Sequence, residues 1–105
     1  MSRKLLSYTA LGLILSNTAF ADVPKVAVDI APVHSLVSRV MEGVGTPNLV
    51  IPAGASPHGY SLRPSEAKSL QDADMVIWMG EDLAPWMENS IETLSKNADV
   101  ITLLE

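Results

Sequence analysis

KVAVDIAPVHSLVSRVMEG, residues 25–43, changes its period halfway along. KVAVDI (25–30) is an apolar run of strand length. From Pro32 onward Val33, Leu36, Val37, Val40 and Met41 recur at three- and four-residue steps, the spacing of one face of a helix, until Gly43 stops it. Pro32 suits the first turn of that helix, where a missing N–H has no helical partner to lose. A strand running into an amphipathic helix is the first half of a β-α-β unit, and the rest of the chain repeats the pattern.

NLVIP (48–52) reads as a second strand, and Pro64 opens a second helix carrying Ala67, Leu70 and Ala73 on one side. DMVIWMG (74–80) is a third strand, nearly continuous in apolar character and closed by Gly80. APWMENSIETLSK (84–96) is a third helix with Pro85 in its first turn and Met87, Ile91 and Leu94 on one face, and DVITLL (99–104) is a fourth strand. The order predicts an α/β fold, a four-stranded parallel sheet flanked by helices, because right-handed crossovers lay each helix on a sheet face. No internal repeat or low-complexity tract interrupts it.

The first 21 residues stand apart. Arg3 and Lys4 give a positive start, LLSYTALGLIL an apolar centre shorter than the roughly 20 residues that a bilayer-spanning helix needs, and Ala19-Phe20-Ala21 a small-x-small cleavage site. Residues 1–21 are therefore expected to be a signal peptide cut after Ala21, leaving residues 22–105 as one exported domain with no membrane span.

The whole chain of 105 residues is 48% hydrophobic and 18% charged, which suits a packed core over disorder. Its formal charge is −5, and the signal carries two of the seven basic residues but none of the twelve acids, so the mature chain is more acidic still. Nucleic acid is excluded as an expected partner, since phosphate recognition needs clustered Lys and Arg. The absence of cysteine removes disulfides, thiolate zinc sites and thiol nucleophiles together.

In open parallel sheets ligands bind beyond the carboxyl ends of the strands. The first such loop carries Asp29 and His34, the second His58 and Tyr60, the third Glu81 and Asp82. His58 is a candidate metal ligand: imidazole nitrogen suits transition metals, Pro57 limits how the backbone arrives, and Gly59 is expected to let it turn sharply afterwards. A solvated loop histidine is the plainer reading of the same residue. His34 reads as a polar residue of the first helical turn, and Glu81 and Asp82 either as paired carboxylates or as acids placed to favour a helix N-terminus. Trp78 and Trp86 read as packing residues. Dinucleotide, P-loop, nucleophile-elbow and H-E-x-x-H motifs are all missing.

GASPHGYSLRPSEAKSLQDADMVIWMGEDLAPWM (54–87) resembles the N-terminal lobe of the ZnuA-type high-affinity zinc uptake receptors, the periplasmic substrate-binding proteins of ABC transporters in solute-binding protein family 9. The resemblance extends back to VAVDIAPVHSL and so covers essentially the mature chain. It implies a two-lobed binding protein, not an enzyme. Metal would be held in the cleft by histidines from both lobes and passed to an inner-membrane ABC permease. His58 matches the ligand histidine of the N-lobe. Pro57 stands where some relatives carry a glutamate, so no carboxylate ligand is expected from that position, and YSLRPSEA leans toward the zinc members. Zinc is thereby implied as the transported ligand, with a manganese or iron receptor of the same family as the alternative. The family continues through a histidine-rich loop and a linker helix into a second lobe, so residues 22–105 are expected to form an incomplete N-terminal metal-binding lobe with the C-terminal lobe absent. From the residues alone, a reading of another class stays open: a small exported α/β enzyme using His58 or His34 with Glu81 or Asp82 as an acid/base pair.

Overall fold

The computed structural model of the chain describes residues 22–104, so the signal peptide expected over residues 1–21 lies outside the described residues. Seven elements follow in the order β1 (Val26–Val28), α1 (Ala31–Val40), β2 (Asn48–Leu49), α2 (Pro64–Asp72), β3 (Met75–Trp78), α3 (Pro85–Leu94) and β4 (Asp99–Thr102). The alternation read from the sequence is the alternation found, with every element shorter than its apolar run. All three helices carry proline in their first turn.

The four strands are parallel and lie side by side as β2-β1-β3-β4. β1 is central, with Ala27 opposite Asn48 on one side and opposite Val76 on the other. Successive side chains of a strand point to opposite faces, so each central strand feeds two cores. On one face Ala27, Val76 and Trp78 pack with Leu70 and Ala73 at the end of α2 and with Met87 and Ile91 of α3. On the other Val26 and Val28 pack with Val33 of α1 and Met41 just after it, flanked by Val37, Met75 and Ile77. Fully burying a side chain of this size contributes about 1.5–3 kcal/mol. Leu70, Val28, Val76 and Met87 are each completely enclosed.

The faces are unequally covered. Among the described residues only α1 lies on the second one, and the stripe expected on it is only partly used: Val33 and Met41 are buried, whereas Leu36 is 69% and Val40 84% exposed. Val40, Val44, Met75 and Pro24 border an open apolar groove of about 290 Å³. Periodicity marks which side of a helix is apolar, but it does not say how much of that side finds a neighbour.

The chain reverses direction across the sheet between β1 and β3, one connection leading to β2 and the other to β4. At this point of divergence sits Asp29, with no exposed surface. Its Oδ1 accepts the N–H of Ile30 and its Oδ2 that of Met79, both at 2.7 Å. Its main chain donates to the Ile77 carbonyl at 3.3 Å and accepts from Ile51 at 2.9 Å. One residue thus joins the carboxyl ends of three strands. Burial pushes the Asp29 carboxyl above its ordinary 3.8, and the bonds from the Met79 and Ile30 N–H groups offset only part of that cost.

Asp29→Ala leaves the part-buried N–H groups of Ile30 and Met79 without their acceptor, and urea unfolding is expected to show a loss of about 1–3 kcal/mol. Because the folded-state value is raised, the contribution of Asp29 titration to stability is full below pH 3.8 and is lost as the pH rises through the raised value. The stability of the native chain minus that of Asp29→Asn should therefore shift in favour of the native chain on acidification, measured by the same urea titrations repeated across pH 3 to 7.

Candidate metal centre

The loop from β2 to α2 leaves the carboxyl end of the sheet and carries His58 on its exposed outer side. Its base is firmly seated: Val50 and Ile51 are buried and continue the pairing with β1 through Val50 N–H to Val28 at 2.8 Å and Ile51 N–H to Asp29. The left-handed turn of this loop falls at Gly54, with φ of 89°. Gly59, expected to provide the sharp turn after His58, has no positive φ, and a Cβ there would meet nothing within 4 Å. The left-handed step therefore comes before the histidine, while the turn at Pro57–His58 and the bend at Gly59 are made without a positive φ.

Contacts on either side hold the histidine segment. The indole N–H of Trp86 in α3 donates to the Pro57 carbonyl at 2.7 Å. Tyr60 donates its hydroxyl to Glu66 Oε1 at 2.7 Å, and its ring lies 6.1 Å from that of Trp86 with the planes 54° apart. The same Glu66 oxygen accepts the Arg63 N–H at 2.8 Å, tying the residue before α2 to the third residue of the helix. The Glu66 carboxylate, as acceptor of the Tyr60 hydroxyl, holds the Tyr60 phenol above its ordinary value of 10.0. Beside the loop, Ile30, Pro32, Ile51 and Pro57 border a notch of about 220 Å³.

The other candidates lie apart from this arrangement. His34 is half-buried, and its Nε2 sits 2.9 Å from the Pro47 carbonyl, pinning α1 to the approach of β2. Glu81 and Asp82 are exposed in the turn after β3. Glu81 lies beside Glu88 of the first turn of α3, and the shared hydrogen bond and like charge raise the Glu88 carboxyl above its ordinary 4.5. These two glutamates border a cavity of about 380 Å³ with Trp78 and Thr102. The companion of Glu81 is thus a second carboxylate. Among the described residues no hydrogen bond or ion pair joins His34 or His58 to a carboxylate, and no group of three or more His, Asp or Glu is placed to hold a metal ion.

Trp78, read as packing, is 6% exposed, and its indole donates to Thr102 Oγ1 at 3.0 Å, bracing β3 against β4. Packing alone understates Trp86, since its N–H reaches the carbonyl of the residue before His58. Glu66 is not among the residues that the strand-end search picks out, although Glu three residues after the residue preceding a Pro-initiated helix is a recognisable N-terminal signal.

Solved structures with this fold include Zn(II)-bound AdcA from Streptococcus pneumoniae, with a TM-score of 0.65 at 24% identity, matching 77% of this chain and 18% of that one. A Mn-bound periplasmic metal binding protein from Candidatus Liberibacter asiaticus gives 0.65 at 22% identity, over 74% of this chain and 30% of that one. The chain thus shares its fold with these two metal-bound proteins. Residues 26–105 match the family described as ZnuA, zinc-uptake complex component A periplasmic, and the chain belongs to that family. It is similar to the high-affinity zinc uptake system protein ZnuA of Paracoccus denitrificans, 46% identical over 87 residues that make up 83% of this chain and 27% of the relative. It is also similar to the proteins of that name from Brucella abortus, at 41% identity over 74% of this chain and 23% of the relative, and Haemophilus influenzae, at 31% over 98% and 30%. The chain therefore spans about a quarter of the length of these curated relatives.

Gly59→Ala is expected to leave stability unchanged or raise it by up to about 1 kcal/mol, because the unfolded chain loses freedom and the folded one loses nothing. Gly54→Ala should destabilise, since its φ of 89° disfavours any side chain. Paired thermal melts of the two variants check the assignment of the turn.

Proposed function

We propose that this chain is the N-terminal metal-binding lobe of a periplasmic zinc receptor serving an ABC-type high-affinity uptake system, and that neutral His58 donates one ring nitrogen to Zn²⁺. The observation that carries the reading is the pairing of family membership with an exposed histidine on an anchored loop at the carboxyl end of the sheet. Zinc is the cargo here, bound and released without chemistry. The four-coordinate geometry that zinc favours needs about three donors besides His58. On this reading they come from outside the described residues, in keeping with the small share of the relatives' length that the chain spans.

Residues 1–21 act as the export signal, cut after Ala21, and residues 22–105 as the lobe that meets a second one across the metal. Capture would exchange water ligands for protein donors as the lobes close, and docking on an inner-membrane permease would reopen them. Among the described residues no helix is long and apolar enough to cross a membrane. An acid/base enzyme finds no support in the geometry, because His34 is committed to the Pro47 carbonyl and Glu81 to a second glutamate.

Zinc titration of the 105-residue chain, followed by the imidazole signals of its two histidines, should move His58 and leave His34 in place, with an affinity far weaker than nanomolar because one imidazole cannot fill the coordination shell. His58→Ala should abolish the saturable response, whereas His34→Ala should retain it. Nanomolar binding by this chain, or an unchanged response in His58→Ala, would overturn the assignment.

A further inference from the structure

We infer that Trp86 is the positioning residue of the His58 imidazole, holding the loop in its metal-binding conformation before any metal arrives; the inference rests on the reading of His58 as a ligand. The proline ring of Pro57 fixes its own φ near −65°. The freedom left at that residue is the orientation of the peptide plane joining it to His58. The Trp86 indole N–H, 2.7 Å from the Pro57 carbonyl oxygen, removes it.

Two residues beyond the histidine the chain is fastened again, and to the same side chain. Tyr60 lies against the Trp86 ring, while its hydroxyl is held by Glu66, a carboxylate only 8% exposed that also fastens the start of α2. His58 and Gly59 are thus the two exposed residues between anchors to α3 and α2. Trp86 itself cannot drift, because Pro85 opens its helix and the next residue, Met87, is completely buried in the core.

The consequence is thermodynamic. A free loop would have to be ordered by the metal, and that cost would come off the affinity; here the ordering is done by folding.

The test compares three forms of the 105-residue chain, wild type, Trp86→Phe and His58→Ala, by zinc titration and by backbone ¹⁵N relaxation without metal. Trp86→Phe keeps an aromatic ring for Tyr60 while removing the N–H donor together with the pyrrole part of the indole. It is expected to weaken zinc binding about tenfold, the equivalent of one lost hydrogen bond, and to raise nanosecond motion at His58 and Gly59 while the rest of the sheet stays rigid. A folded Trp86→Phe that binds zinc like wild type overturns the inference while leaving His58 as the ligand. An unaltered response in His58→Ala overturns the ligand reading instead. Should Trp86→Phe fail to fold, relaxation of the wild-type chain decides: order at His58 and Gly59 equal to that of β1 supports the bracket, and loop-like motion there refutes it.

Discussion

A buried carboxylate at the point where the chain changes direction governs how this sheet ends. Parallel strands have carbonyl and amide groups protruding beyond their last paired residue, and at the carboxyl ends of β1 and β3 those groups face one another as the connections part. Asp29 resolves this by accepting the Ile30 and Met79 N–H groups, one on each oxygen, while its own backbone joins β3 and the continuation of β2. The carboxyl pays a desolvation cost visible in its raised proton affinity, yet it leaves no buried polar side-chain atom unpaired among the described residues. The loops that leave this end of the sheet start from a fixed rim.

The order of elements was legible because each apolar run has its own period and each helix is announced by a proline. Their ends were not. Val50 and Ile51 are buried and bonded like strand residues although the regular strand stops at Leu49, and α1 ends at Val40, short of Gly43. These differences arise where tertiary hydrogen bonds, not local preference, choose the last residue. Leu36 and Val40 show the same limit for burial: their spacing fits the helix face, but nothing in the described sheet reaches them.

The site was legible as a residue and illegible as an arrangement. His58 stands out because histidine is scarce and sits beside proline after a strand. Its supports act across distance: Trp86 reaches a carbonyl 29 positions earlier in the chain, and Asp29 an amide 50 positions later. No periodicity records such pairs. The short-range part of the support, Glu66 against Arg63, does carry a sequence signal, and the chain does bend at Gly59 as expected, although without the positive φ that only glycine supplies cheaply.

The uneven covering of the sheet bears on how the chain behaves in solution. β4 is the outer strand beside β3, and Val100 and Ile101 along it and Leu103 just after it are all more than two-fifths exposed. A strand with free amide and carbonyl groups on one side and apolar side chains above and below is a template for adding another strand. With the open groove beside α1, it gives the chain two adhesive surfaces of different character, one directional and hydrogen-bonded, the other oily and permissive.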